Sequence, residues 1–185
     1  MNAARDKVWT ERFIAFAPWL LDRETVFKRG HSGDYEFATH EDDPRDPGGR
    51  TKFGIDQRSH RSTDIAALTV ADALAIYWSS YWLPSLADHC PAGYGEIVCD
   101  IRVNGGNAWR IVQRGLNDAG AKLVADGVYG RQTAAAMLQI GHAGLWPVLN
   151  RREAYYRELA VKRRMGWALK GWLNRNNSLR RLVGA

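Results

Sequence analysis

Hydrophobic and polar positions follow a helical period along most of this chain. Apolar residues recur at three- and four-residue steps in several segments, and glycine or proline separates most of these segments. Helices are predicted at residues 9–27, 69–82, 92–103, 108–117, 131–138, 142–164 and 167–182. The pattern therefore predicts a mostly α protein, with loops and one small hairpin before residue 69.

The apolar face of the first predicted helix ends on an acidic residue. Glu24 continues the apolar stripe and does not lie on the charged face with Asp22 and Arg23. Desolvation raises the pKa of a carboxyl group, so a glutamate in this position could act as a general acid. Alternatively, Glu24 is exposed and pairs with Lys28 four residues later. Pro18 predicts that the helix starts or bends near it. The apolar stripe consists of Phe13, Phe16, Ala17, Leu20 and Leu21.

Residues 42–56 are the part of the chain least suited to a helix. Pro44 and Pro47 each fix one backbone dihedral angle, and Gly48-Gly49 permits positive φ. The segment therefore predicts a tightly shaped acidic loop that ends in a short extended piece. A weak alternation at 35–40 adds a strand signal, so one small hairpin is predicted near residues 35–55. Two interpretations stay open: the loop holds carboxylates for a functional site, or it is a solvated acidic turn.

Composition limits the class of protein. With 185 residues, 45% of them hydrophobic and 25% charged, the chain predicts a globular protein with one good core. No apolar run approaches the length of a membrane span, and the first seven residues lack the apolar core of a signal peptide. We therefore expect synthesis in the cytoplasm and delivery by a separate system.

The net charge and the histidine and cysteine content limit which partners and cofactors are expected. The formal net charge of +6 favours a polyanion: nucleic acid, anionic lipid or an anionic wall polymer. Nucleic acid is not expected, because no recognised nucleic-acid motif is present. The five histidines are scattered, and Cys90 and Cys99 show no metal-ligand spacing. We expect no metal or other cofactor, two thiols outside any disulfide, and a monomer.

Several motifs together resemble one enzyme family. Asp-Pro-Gly-Gly-Arg-Thr-Lys-Phe-Gly-Ile at 46–55 resembles the signature of the N-acetylmuramidases of glycoside hydrolase family 108. Asp-Gly-Val-Tyr-Gly-Arg-Gln-Thr at 126–133 resembles a turn of the peptidoglycan-binding-type domain that closes these proteins. Further similar pieces lie at 68–82, 99–106, 152–156 and 171–175, in the same order as in the family.

The resemblance implies a fold and a domain organisation. The fold expected is mostly α, or α+β of the lysozyme-like type, a helical bundle with one small β-hairpin lobe beside the active-site cleft. Residues 1–120 would form the catalytic region. Residues 121–185 would form a helical peptidoglycan-binding-type region packed on it as one compact unit.

The resemblance also implies roles for single residues. Glu24 would be the catalytic acid, and Asp46 and Thr51 would position water or stabilise the transition state. Asp43 is the alternative to Asp46 and a candidate substrate contact, as is Tyr35. Asp100 and Asn104 lie one helical turn apart and would either hydrogen-bond N-acetyl groups of the glycan or pack as polar groups at a helix end.

The spacing around the acid departs from the family's pattern. In the family, Gly-Gly-Tyr follows the catalytic Glu directly, whereas Thr25-Val26 follows Glu24 here and Gly33-Asp34-Tyr35 comes later. Either Glu24 is the acid and residues 25–34 are an insertion, or Ser32 has replaced the acid and the enzyme is inactive or altered. We favour Glu24, because it lies where the apolar helix face ends. Glu36 and Glu41 are weaker candidates.

Two functions follow as hypotheses. The first is a peptidoglycan hydrolase, a lysozyme that cleaves the β-1,4 bond between N-acetylmuramic acid and N-acetylglucosamine. A holin or a secretion system would then deliver it, as a phage endolysin or a secreted effector. The second is a catalytically inactive protein of the same fold that binds the cell wall or another polyanion.

Overall fold

The computed structural model describes residues 9–28, 32–39 and 49–185. These residues form seven α-helices and a two-stranded antiparallel sheet. The helices are α1 (Glu11–Glu24), α2 (Val70–Tyr77), α3 (Tyr94–Val103), α4 (Ala108–Asp118), α5 (Arg131–Ile140), α6 (Leu145–Lys162) and α7 (Gly166–Leu182). The strands are β1 (Thr51–Lys52) and β2 (Ile55–Asp56). The predicted mostly α, lysozyme-like fold with one small hairpin is confirmed.

The chain divides into two compact units, Met1–Ser80 and Tyr81–Ala185. The first unit contains α1, the hairpin and α2, and the second contains α3 to α7. A π-helical segment, Trp78–Trp82, continues α2 where the units divide. None of the helices in the described part of the chain is both long enough and apolar enough to cross a membrane.

Helix α1 buries the stripe that the sequence predicts. Thr10 caps its start by accepting a hydrogen bond from the backbone N–H of Phe13. Pro18 lies inside the helix, so the helix does not begin there. The ring of Phe13 meets that of Trp78 edge to face at 5.1 Å. The buried residues of α1 are Phe13, Phe16, Ala17, Leu20 and Leu21.

The hairpin is shorter and later than the alternation predicts. Its register pairs Thr51 with Asp56, and the turn between the strands lies at residues 53–54. Tyr35–Phe37 is a 3₁₀ turn, and extended pairing in the described part of 35–40 is limited to an isolated antiparallel bridge between Ala38 and Phe27. The side chain of Asp34 caps that turn by accepting from the N–H of Glu36. Such local side-chain bonds compete with strand pairing.

The second unit is built on close helix contacts. A β-carbon on Gly115 of α4 would lie 2.4 Å from the Cα of Val148 on α6, so only glycine permits this approach. Helices α6 and α7 run antiparallel: Tyr156 stacks on Trp172 at 5.4 Å, and Asn176 donates to the carbonyl of Leu149 at 3.0 Å. These contacts place the connection between α6 and α7 at one end of a two-helix hairpin.

Candidate active site

Glu24 is the last residue of α1 and lies against the hairpin turn. The residue is half-buried, and its Oε1 atom is fully buried. A β-carbon added to Gly54 would lie 2.6 Å from Oε2 of Glu24 and 2.9 Å from its Cβ. The carboxyl group therefore packs directly on the backbone of the turn, and the alternative of a fully exposed helix-end residue does not hold.

The turn that meets Glu24 is fixed by Tyr77. Its hydroxyl is buried and donates a 2.7 Å hydrogen bond to the carbonyl oxygen of Phe53. The same hydroxyl lies 2.9 Å from the position that a β-carbon on Gly54 would take. Phe53 and Gly54 both have positive φ, +53° and +70°. A buried hydrogen bond thus holds a backbone conformation that only glycine adopts easily.

This geometry can position a proton donor. One face of the Glu24 carboxyl packs on the Gly54 backbone, and the neighbouring Tyr77 hydroxyl keeps that backbone in place. A carboxyl that is held in one place and partly shielded from water has the properties that a general acid requires.

Thr51 and Tyr35 lie in the same unit as Glu24. Thr51 is half-buried, begins β1, and donates from Oγ1 to the carbonyl of Gly49 at 3.3 Å. Tyr35 donates to Oδ1 of Asp22 on α1 at 2.8 Å, and its ring meets that of Phe53 edge to face at 6.5 Å. Burial, together with the Asp22 carboxylate, raises the pKa of Tyr35 to about 12. Tyr35 therefore stays protonated and ties α1 to the residue next to Gly54.

The two loop aspartates, Asp46 and Asp43, lie outside the described residues, as does Glu41. Ser32 and Glu36, by contrast, lie among the described residues. Ser32 is in an exposed turn, and Glu36 is exposed in the 3₁₀ turn. Neither has the packed surroundings of Glu24.

Asp100 of α3 is fully buried in a network of the second unit. One carboxylate oxygen accepts from Nη2 of Arg152 on α6, and the other accepts two bonds, of 2.6 and 2.9 Å, from Arg175 on α7. Burial alone would raise the pKa of Asp100, but the two guanidinium groups outweigh it and hold the pKa below its ordinary value. These contacts fit the second role considered for Asp100, that of internal packing.

Asn104 belongs to the same network but is not fully buried. Its Nδ2 donates to the hydroxyl of Tyr156 at 2.7 Å, and Nε of Arg152 donates to that hydroxyl at 2.8 Å. Asn104 lies at the end of α3 and is half-buried. The two residues therefore differ in exposure: Asp100 is enclosed by its arginines, and Asn104 is partly exposed.

The turn at 125–133 is organised by one buried amide. Gln113 of α4 donates from Nε2 to Oδ1 of Asp126 at 2.8 Å and to the carbonyl of Val128 at 3.0 Å. Its Oε1 accepts from the N–H of Gly127 at 2.8 Å. A single side chain thus fixes the motif whose sequence resembles a peptidoglycan-binding-type domain.

Two family models match consecutive parts of the chain. Residues 34–106 match the family model glycosyl hydrolase 108. This part of the chain is similar to the glycosyl hydrolase 108 family. Residues 107–177 match the model described as a predicted peptidoglycan domain. The resemblance inferred from the motifs is confirmed, although the first match begins after Glu24 and so leaves its role a prediction.

A solved structure shares the fold of this chain. The structure of Brucella abortus SagA superposes with a TM-score of 0.68 at 24% sequence identity, over 92% of each chain. No curated protein matches the sequence. The glycosyl hydrolase 108 domain and the predicted peptidoglycan domain support a glycoside hydrolase that acts on peptidoglycan.

Gly54 and Tyr77 are the site residues that the sequence alone does not single out. Gly54 is part of the quoted motif, and Tyr77 is part of the apolar face of α2, but neither has a role assigned from sequence. The available signal was the Phe-Gly pair inside a two-residue hairpin turn, where glycine allows close approach of another group.

Proposed function

We propose that this protein is an N-acetylmuramidase, cleaving the β-1,4 bond between N-acetylmuramic acid and N-acetylglucosamine with Glu24 as its general acid. The observation that carries the proposal is the contact between the Glu24 carboxyl and the backbone of Gly54. This contact holds an acid at the hairpin that follows the Asp-Pro-Gly-Gly motif. The glycosyl hydrolase 108 match gives the class of reaction.

In the proposed reaction, Glu24 transfers its proton to the glycosidic oxygen as the bond to the anomeric carbon breaks. The oxygen of a water molecule bonds to that carbon, and the water gives one proton to a carboxylate of the site. Asp46 and Thr51 are proposed to stabilise the positively charged transition state or to orient the water. The Thr51 hydroxyl is already held at the start of the hairpin by its bond to Gly49.

The other candidate residues are proposed either to contact the glycan or to hold a contacting residue in place. Asp43, Tyr35 and Asn104 are proposed to contact the glycan, while Asp100 supports Asn104 through their shared network around Arg152. Residues 1–120 are proposed as the hydrolytic region and residues 121–185 as the region that holds the wall.

Product analysis tests the proposed bond. Purified peptidoglycan is digested, reduced with borohydride and analysed by mass spectrometry. Hydrolysis of the proposed bond leaves reducing ends on N-acetylmuramic acid, which borohydride converts to the alditol. Reducing ends on N-acetylglucosamine, or 1,6-anhydro products without reducing ends, would show that the bond or the reaction is wrong. Wall binding without any new reducing end would favour the inactive, wall-binding alternative.

Gly54→Ala is expected to lower kcat by about 10–100-fold, because the added methyl group must displace the Glu24 carboxyl. The strain of alanine at positive φ also lowers stability, so melting temperature is measured beside kcat. Gly120→Ala is the matched control: its φ is +100° and nothing lies within 4 Å of the added carbon. Equal activity of the two variants would show that Gly54 does not position the acid.

A further inference from the structure

The connection between α6 and α7 exposes apolar side chains. We call residues 161–170 the α6–α7 tip. Val161 and Trp167 are 82% and 81% exposed, more than any other large apolar side chain in the described part of the chain. Both lie at the end of the helix pair, on either side of the connecting turn. An exposed valine and an exposed tryptophan therefore flank the same turn, at one end of the helix pair.

The same tip is strongly basic. No aspartate or glutamate occurs from residue 159 to residue 185, whereas this stretch contains seven lysines and arginines. The exposed cations of the tip are Lys162, Arg163, Arg164 and Lys170. Charge and apolar surface therefore coincide in one segment of ten residues.

We infer that the α6–α7 tip binds the surface of an anionic phospholipid bilayer. Lysine and arginine are attracted to anionic headgroups, and the tryptophan ring favours the boundary between headgroups and acyl chains. Nucleic acid or a hydrated wall polymer would attract the same cations but would leave Val161 in water. The contact is peripheral, because α6 and α7 lack a membrane-spanning apolar segment. It does not depend on glycan hydrolysis.

One cation of the tip, Arg164, occupies a backbone position that glycine would fill with less strain. Arg164 adopts φ +52°, at the position after a helix end where glycine is the usual residue. The N–H of Met165 donates to the carbonyl of Ala160 at 2.8 Å, which closes the helix end around Arg164. Arg164→Gly is expected to raise the melting temperature by about 2 °C while weakening vesicle binding. Unchanged vesicle affinity in this variant would remove Arg164 from the proposed surface.

Vesicle sedimentation tests the inference with the full-length protein. Vesicles of phosphatidylcholine alone are compared with vesicles that contain equal parts of phosphatidylcholine and phosphatidylglycerol. Binding is expected to be at least about 10-fold tighter to the anionic vesicles at low salt and to weaken as salt rises. Replacing Lys162, Arg163 and Lys170 together by glutamine is expected to lower the partition coefficient by roughly 100-fold. Equal binding to both vesicle types would overturn the inference.

Matched variants separate the tip from general charge and general exposure. Leu138→Ser on α5 removes another exposed apolar side chain, at 72% exposure, and is expected to bind like wild type. Arg58→Gln with Arg61→Gln removes exposed charge from the first unit and is expected to have little effect. The double variant Val161→Ser with Trp167→Ser is expected to bind anionic vesicles about 10-fold or more weakly than wild type. Wild-type affinity in that double variant would contradict insertion of the tip.

Two further readouts decide between lipid and nucleic acid as the anion. Lipids with brominated acyl chains are expected to quench tryptophan fluorescence in wild type but less in Trp167→Phe, since the quencher must reach the inserted ring. Duplex DNA is offered in the same buffer. Binding to DNA that depends on the tip, without binding to vesicles, would overturn the inference. Melting curves check that every variant is folded.

Discussion

Glu24→Gln is expected to lower kcat for glycan hydrolysis by about 10²–10⁴-fold, the usual contribution of a general acid. Glutamine keeps the size of the side chain and its contact with the Gly54 backbone, but it has no acidic proton to give to the glycosidic oxygen. Binding to purified peptidoglycan should stay within about threefold of wild type, because the substitution removes proton transfer and little contact area. Release of reducing ends measures kcat, and sedimentation with insoluble peptidoglycan measures binding.

Glu36→Gln is the matched control for this prediction. Glu36 has the same side chain and lies twelve residues later, but it is exposed. The variant is expected to keep wild-type kcat. A large loss in Glu36→Gln with activity retained in Glu24→Gln would move the acid to Glu36. Loss in neither would place the acid elsewhere, with Glu41 the next carboxyl to replace. Melting temperatures close to wild type in both variants are needed for this comparison.

The helices were predictable because their apolar positions repeat over ten or more residues. For α1, α4 and α7, the predicted bounds lie within about three residues of the observed ones. The extended segments were harder. At 35–40 the alternation was only a few residues long, and the chain forms a 3₁₀ turn capped by the Asp34 side chain, followed by a single bridge from Ala38 to Phe27. Periodicity carries little information over so few residues.

Only the part of the candidate site that lies on one helix face was predictable from the sequence. Glu24 stood out because it ends the apolar stripe of α1, a property of neighbouring residues. Its contact with Gly54 joins residues thirty positions apart, and Tyr77, which holds that turn, lies fifty-three positions after Glu24; no local pattern links them. The same limit applies to Asp100. Its spacing with Asn104 showed a shared helix face, but not that Arg152 and Arg175 meet that face inside the protein.

Asp100→Asn is expected to lower the free energy of unfolding by about 3–5 kcal/mol, the usual effect of removing one partner of a buried ion pair. The side chains of Asp100 and Arg152 are fully buried, and that of Arg175 is only 10% exposed. Replacing the carboxylate leaves two buried guanidinium groups without their shared counterion. Urea unfolding at neutral pH, followed by circular dichroism, measures the change. Asp118→Asn is the control, because Asp118 and its partner Arg151 are 38% and 44% exposed. A surface pair of this kind is expected to contribute less than about 1 kcal/mol.

The pH dependence distinguishes loss of charge from loss of packing at Asp100. Because the pKa of Asp100 is lowered in the folded state, its ionised form contributes stability above the pKa of the unfolded chain. That contribution is lost as the pH falls through the lowered folded-state pKa. Wild type should therefore lose stability on acidification below about pH 5, while Asp100→Asn should show a shallower slope over the same range. Parallel pH profiles for the two proteins would mean that Asp100 acts through its shape, and the described ion pairs would then not explain the stability of the second unit.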